Sequence, residues 1–257
     1  MFHHLRQHPD IIAARRRPAV PSLGSLQRVS SRSGLGRRIV STLLLKEVHF
    51  FDDDTVDWQR SDFAAYEHRY GRRSGVRVDC TPSYIYHPEA LQRVRAYNPD
   101  ARVLVIFRDP IARAYSHWKV RRSRGVEDLD FLPALLAEKE RLSEFSEEFS
   151  RGKEVAYVGR GRYGSQLRSA LQVFPRDRIH CILFDDLVGD HRAVLSGVAA
   201  FLGIRRFPAL RPVRANVGPS ASGGPGPAAR ELISAALGAE MQEFARLSGL
   251  DISAWGC

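Results

Sequence analysis

The most uniformly apolar stretch of the chain is Arg102-Val-Leu-Val-Ile-Phe-Arg108, a run of β-branched and aliphatic residues with no polar alternation. Such a run predicts a strand covered on both faces, as in a parallel sheet. Arg178-Ile-His-Cys-Ile-Leu-Phe184 predicts a second, and Val76–Asp79, just before a Thr-Pro turn, a short strand end. Elsewhere the apolar positions recur at helical spacing. Ile111–Arg122 follows Asp109-Pro110, and proline is favourable in a helix's first turn. Leu129–Phe149 aligns Leu132, Leu135, Leu136, Leu142, Phe145 and Phe149 on one side. Gly164–Phe174, a stretch from Asp185 through Leu202, and Ala228–Leu247, with Ile233, Leu237, Met241 and Phe244 inward, read as further helices. Residues 2–14 read as a short helix ending at the Pro9 turn. Strands alternating with helices predict an α/β fold with a mostly parallel sheet covered on both faces. Ligands of such sheets bind beyond the carboxyl ends of the strands.

Residues 15–38 break this texture: they are rich in Arg, Ser, Gly and Pro and offer little to bury. We expect one domain spanning 1–257, interrupted by a disordered insert at 15–45. The composition of that insert resembles an organelle transit peptide, but its internal position speaks against one. Residues 211–227 hold too many breakers for anything but loop. The length of 257 residues accommodates one large α/β domain. Ile39–Leu45 is far too short to span a bilayer. Met1–Asp10 lacks the apolar core of a secretory signal. The cysteines at 80, 181 and 257 form neither a zinc-ligand pattern nor an even disulfide set. A cytoplasmic protein is the expectation.

The net charge of +10 raises nucleic-acid binding as a question. Residues 1–45 hold eight Arg and one Asp, so the excess sits mostly in the insert. Of the 39 basic residues 35 are Arg, the skew a GC-rich coding sequence gives by itself. We expect no nucleic-acid partner. The competing reading, a basic nucleic-acid binder acting through residues 15–38, requires a steep salt dependence.

Four segments carry candidate chemistry. Arg108 stands at the carboxyl end of a predicted strand, with Ser116 about two turns into the next helix. A guanidinium presents a planar fork of donors suited to phosphate, and a helix start adds oriented amides. The competing reading pairs Arg108 with Asp109 or Asp185 at the sheet edge. In Lys46-Glu-Val-His49-Phe-Phe-Asp52, a carboxylate beside aromatic walls can act as a general base for a hydroxyl. An ordinary strand edge would have the same alternation. Thr81-Pro-Ser-Tyr84-Ile-Tyr-His87-Pro is a turn bearing hydroxyls and aromatics, and Gly159–Leu167, which includes Tyr163, is a Gly-bounded helix start.

Taken together and in order, these segments resemble the sulfotransferase superfamily. The likeness is to the branch of the heparan sulfate N-deacetylase/N-sulfotransferases, the 3-O-sulfotransferases and their bacterial relatives. It is carried by Lys46–Asp52, Thr81–Tyr84, Asn98–Trp118, Gly161-Arg-Tyr163 with Phe174-Pro175, Leu183-Phe-Asp-Asp-Leu187 and Leu250–Trp255. It covers Lys46 to the C-terminus and residues 2–13. The resemblance implies a P-loop-NTPase-like three-layer α/β/α fold. It also implies sulfuryl transfer from 3′-phosphoadenylyl sulfate (PAPS) to a hydroxyl or amine of a carbohydrate-like or other small acceptor, with no metal. By motif, Arg108, Ser116 and Tyr163 belong to the donor side, and Asn216 to a loop that closes over the nucleotide. Glu47 would be the general base, and Lys46, His49, Thr81 and Ser83 would line the acceptor side.

The chain departs from the pattern in two places. Family members open with a strand and a G-x-x-K-x-G-T-T loop that cradles the 5′-phosphosulfate. Here Met1–Ile11 resembles the helix after that loop, and Gly34-Leu-Gly36 lacks the strand and the Thr pair. The expectation is a reading frame truncated at its N-terminus; the alternative is a degenerate homologue that binds nucleotide without turnover. Secondly, Cys80 stands where the 3-O-sulfotransferases have a substrate-contacting Lys. The absence of Gly-x4-Gly-Lys-Ser/Thr speaks against a kinase or NTPase.

Overall fold

The computed structural model describes residues 1–15, 47–60, 62–72, 74–145, 149–208, 210 and 223–257. The expected insert beyond Arg15, Lys46, Asn216 and most of the 211–227 loop lie outside them.

A short helix α1 (Phe2–Leu5) opens the chain. The helix expected through residue 14 ends there, because Pro9 supplies no amide and the Ile11-Ile12 pair prefers extended backbone. Ile11–Ala13 is instead strand β1. It runs parallel to β2 (Val76–Val78), Ile11 opposite Val76 and Ala13 opposite Val78. Gly75 permits the junction: a Cβ there would stand 2.7 Å from the Asp10 carbonyl oxygen.

A second parallel pair joins β3 (Val103–Phe107) to β4 (Ile179–Leu183), with Val103 opposite Ile179 and Phe107 opposite Leu183. The described residues thus form two two-stranded parallel sheets, with no ladder between β2 and β3. This corrects one expectation. Val103–Ile106 are half-buried rather than enclosed, and only Phe107 of β3 is buried, because β3 has a ladder partner on one edge only.

The helices are α2 (Ala64–Glu67), α3 (Ala90–Tyr97), α4 (Pro110–Ser123), α5 (Phe131–Leu136), α6 (Glu138–Glu144), α7 (Phe149–Val155), α8 (Tyr163–Val173), α9 (Phe184–Gly189), α10 (His191–Leu202) and α11 (Pro227–Ser248). Two expected single helices are broken, each at an acid that accepts backbone amides. The chain turns at Ala137 and buries Glu138, which accepts the amides of Val158 (2.6 Å) and Gly159 (2.7 Å). Leu136, expected inward, is consequently exposed. Asp190 interrupts 185–202 by capping α10, accepting from the amides of Arg192 and Ala193.

The apolar face of α11 (Ile233, Leu237, Met241 and Phe244) is buried as the spacing predicts. Helix α8 lies so close against α11 that a Cβ on Gly164 would meet the Glu240 carbonyl oxygen at 2.6 Å. Phe107, Tyr163, Phe244 and Trp255 complete this core, with Phe107 and Phe244 centroids 4.5 Å apart and Phe244 stacked on Trp255. The end of β3 is therefore anchored from behind by large aromatic side chains.

Candidate active site

Beyond the end of β2 the chain passes Asp79 and Thr81 into a 3-10 turn, Pro82–Ile85. This turn organises the 47–52 loop through two hydroxyls. Thr81 Oγ1 accepts the amides of Val48 (2.9 Å) and His49 (3.1 Å) and donates to Asp79 Oδ1 (2.6 Å). Tyr84 OH accepts the amides of Phe50 (3.1 Å) and Phe51 (3.4 Å) and donates to Asp79 Oδ2 (2.7 Å). Four successive loop amides thus end on two hydroxyls that share one carboxyl. Burial pushes the Asp79 carboxyl upward, against the hydrogen bonds it accepts. Phe50 and Phe51 wedge among Trp58, Tyr66 and Tyr84. This scaffold holds His49 at φ 49°, a left-handed conformation that costs a non-glycine residue about 1–3 kcal/mol.

Thr81 and Ser83 were expected to line the acceptor side. Both are buried. Thr81 Oγ1 spends its single proton and both lone pairs inside the scaffold. Ser83 Oγ donates to Asp52 Oδ2 at 2.5 Å. They position the loop.

On this loop the side chains form a chain of their own. Glu47 Oε2 lies 3.3 Å from His49 Nε2, and His49 Nδ1 lies 2.9 Å from Asp52 Oδ2. Lys153 Nζ of α7 donates to the same Asp52 oxygen at 3.2 Å. The Glu47 and His49 side chains are partly exposed, 32% and 41%, whereas Asp52 is 1% exposed. Hydrogen bonds to Asp52 and then Glu47 raise the His49 imidazole to about 9, against burial and the Lys153 charge. Burial alone would raise the Asp52 carboxyl; hydrogen bonds from His49 and Ser83, with Lys153 beside it, hold it well below the usual range. At neutral pH His49 is therefore a cation donating to two carboxylates.

Asp52 was not assigned a role from sequence, although it stands three residues after His49 in a segment already singled out. Lys153 offered no sequence signal: only the fold brings it across from α7.

The second half of the site follows β3. The Arg108 carbonyl accepts from Tyr163 OH (3.0 Å), and its guanidinium lies over the Phe184 ring, 5.0 Å from the centroid. Among the described residues no carboxylate pairs with it. Asp109 instead caps α4, accepting the amides of Ala112 (2.6 Å) and Gly256 (2.7 Å). The sheet-edge ion pair that the sequence left open does not form, so the Arg108 fork is free to take an anion. The hydroxyl of Ser116, two turns along α4, has no hydrogen-bond partner among the described residues. Tyr163 is buried behind Arg108, its hydroxyl committed to the Arg108 carbonyl. It supports that residue rather than presenting a free group to a nucleotide.

A cavity of about 330 Å³ adjoins the first half of the site, walled by Tyr86, Phe145 and Phe149 with Asp54, His87 and Lys153 as its polar groups. A larger groove of about 880 Å³ between α3 and α8 includes neither Glu47 nor Arg108.

The α/β fold thus carries a free guanidinium beyond the carboxyl end of one parallel strand and a carboxylate–imidazole–carboxylate chain beyond that of another. A family model described as "Sulfotransferase family" matches residues 2–208, and the chain belongs to this family. It is similar to human heparan sulfate glucosamine 3-O-sulfotransferase 6, 27% identical over 165 residues, which covers 62% of this chain and 44% of that protein. It is also similar to mouse heparan sulfate glucosamine 3-O-sulfotransferase 3B1, 26% identical over 163 residues, covering 63% and 39%. The chain thus spans less than half the length of these curated relatives. The crystal structure of a sulfotransferase from Alicyclobacillus acidocaldarius shares the fold, with a TM-score of 0.66 and 24% identity, covering 98% of this chain and 91% of that one. Among the described residues no helix is long and apolar enough to cross a membrane.

Proposed function

We propose that the protein is a PAPS-dependent sulfotransferase that moves a sulfuryl group onto a hydroxyl, or an amine, of a carbohydrate-like acceptor. The observation that carries this reading is the unpaired Arg108 guanidinium at the carboxyl end of β3 in a chain of this family. Arg108 and Ser116 hold the 3′-phosphate of the donor. Tyr163 fixes Arg108 from behind. Asn216 and Lys46, on the donor and acceptor sides, lie outside the described residues. PAPS supplies the sulfuryl group, with adenosine 3′,5′-bisphosphate as the leaving group. Glu47 takes the acceptor's proton as the new S–O bond forms. His49, cationic and hydrogen-bonded to Glu47, orients that carboxylate. The acceptor approaches past the exposed edges of Glu47 and His49, and the cavity beside Lys153 takes part of it.

The test is calorimetry of adenosine 3′,5′-bisphosphate binding to the wild type and to Arg108→Ala. Hydrogen bonds to a charged group contribute about 1.5–3 kcal/mol, so affinity should fall about 10- to 150-fold. Unchanged affinity would overturn the assignment. Intact binding with no sulfuryl transfer would instead favour a nucleotide-binding protein without turnover.

A further inference from the structure

We propose that Lys153 is a positioning residue of the candidate centre: its ammonium holds the Asp52 carboxylate against Ser83 and so fixes the His49 ring between Asp52 and Glu47. The consequence for turnover rests on the sulfotransferase reading; the geometry belongs to the protein without donor or acceptor.

The inference starts from charge. Asp52 is 1% exposed, and a carboxylate that buried is costly unless compensated. Its neighbours on the loop are one imidazolium, His49, and a second carboxylate, Glu47. The imidazolium that Asp52 holds is shared with Glu47. Lys153 adds a second cation, with Nζ 3.2 Å from Asp52 Oδ2. Among the described residues no other ammonium or guanidinium pairs with Asp52. Asp54, two residues further along, is turned the other way, to His87 Nε2 (3.1 Å) and Arg93 Nη2 (2.8 Å). Lys153 is itself held in place: its side chain is 13% exposed, and Nζ lies 5.4 Å from the centroid of the Phe149 ring.

Geometry gives the clamp its direction. Asp52 Oδ2 receives three donors, Ser83 Oγ, His49 Nδ1 and Lys153 Nζ. With all three in place the carboxylate cannot rotate, and the imidazole it grips presents Nε2 to Glu47. The charged groups facing His49 are Glu47 and Asp52 from its own loop and Lys153 from α7, with Ser83 acting through Asp52 from the 3-10 turn. The carboxylates favour its proton and Lys153 opposes it. Lys153 thus fixes the arrangement while its charge opposes that of the imidazolium.

The test is the titration of the His49 ring by long-range proton–nitrogen NMR on the full chain, with no donor or acceptor present. In the wild type the ring should titrate near pH 9. Lys153 and His49 share one carboxylate oxygen, so their charges lie within about 6 Å. At a largely hydrated dielectric, loss of the Lys153 charge alone would move the midpoint upward by about 0.5 to 1 pH unit. Loss of the clamp instead frees the ring from the two bonds that raise it, so Lys153→Met should move the midpoint down from about 9 toward 6.5. Lys153→Arg should restore it. A midpoint that stays or rises in Lys153→Met, or that Lys153→Arg leaves at the Lys153→Met value, would overturn the proposal. Lys153→Gln, checked for native circular dichroism, answers the same question if the Met variant does not fold. The Arg108→Ala calorimetry judges the family reading by itself, so failure of either is read separately.

Discussion

Replacing Thr81 with Val removes one hydroxyl and keeps the shape of the side chain. Three groups lose a partner: the amides of Val48 and His49 lose their acceptor, and Asp79 Oδ1 loses its donor. Val48 is buried. Asp79 keeps its bonds from Tyr84 and Tyr66 and from backbone amides. Each buried polar group left without a partner costs about 1–3 kcal/mol. The His49 amide is partly buried and recovers some solvation, so the total should be about 2–4 kcal/mol. Thr81→Ser keeps the hydroxyl and should lose far less. Urea unfolding followed by circular dichroism reads the loss as a lower midpoint at unchanged slope. The same variant should release the left-handed His49 backbone and move the ring's titration from about 9 toward its ordinary 6.5. A Thr81→Val protein within 0.5 kcal/mol of wild type, the range of ordinary surface changes, with His49 still titrating near 9, would refute the claim that this hydroxyl organises the loop.

Two further outcomes follow from the packing. Burial holds the His117 imidazole down to about 2. The folded protein therefore keeps it neutral at pH values where the unfolded chain, with a pKa near 6.5, takes up a proton. Its contribution to stability is full above about 6.5 and is lost as pH falls toward 2. Urea midpoints measured between pH 7 and 4 should show that acid decline, and His117→Phe should flatten it by one proton's worth of slope. Gly164→Ala should drive α8 away from α11, since its Cβ would meet the Glu240 carbonyl at 2.6 Å; a loss of about 1–3 kcal/mol is expected in urea unfolding, as for an overpacked core.

The strands and helices that sequence reading located are those whose signal is local. β3 is an unbroken apolar run, β4 is one interrupted only by His180, and α11 repeats its buried residues at helical spacing. β1 was not legible: three residues, Ile11–Ala13, become a strand only because Val76–Val78, far along the chain, lies beside them. The break at Ala137 depends likewise on the distant amides that Glu138 accepts, whereas that at Asp190 is a local cap. At the candidate site, Glu47, His49 and Arg108 could be singled out because they sit in compact segments with chemistry of their own. The bonds of Thr81 to loop amides and of Ser83 to Asp52 were not legible, since nothing local tells a hydroxyl that meets substrate from one that meets its own loop. Lys153 lay beyond sequence reading, because the carboxylate it grips belongs to a distant loop.

The central claim is that the Arg108 guanidinium recognises a phosphate on the ribose 3′ position. Calorimetric affinities for adenosine 3′,5′-bisphosphate and adenosine 5′-monophosphate, each measured on the wild type and on Arg108→Ala, test it directly. The wild type should prefer the bisphosphate by about tenfold or more, and the variant should lose that preference. A preference that survives in Arg108→Ala, or none in the wild type, would contradict the account.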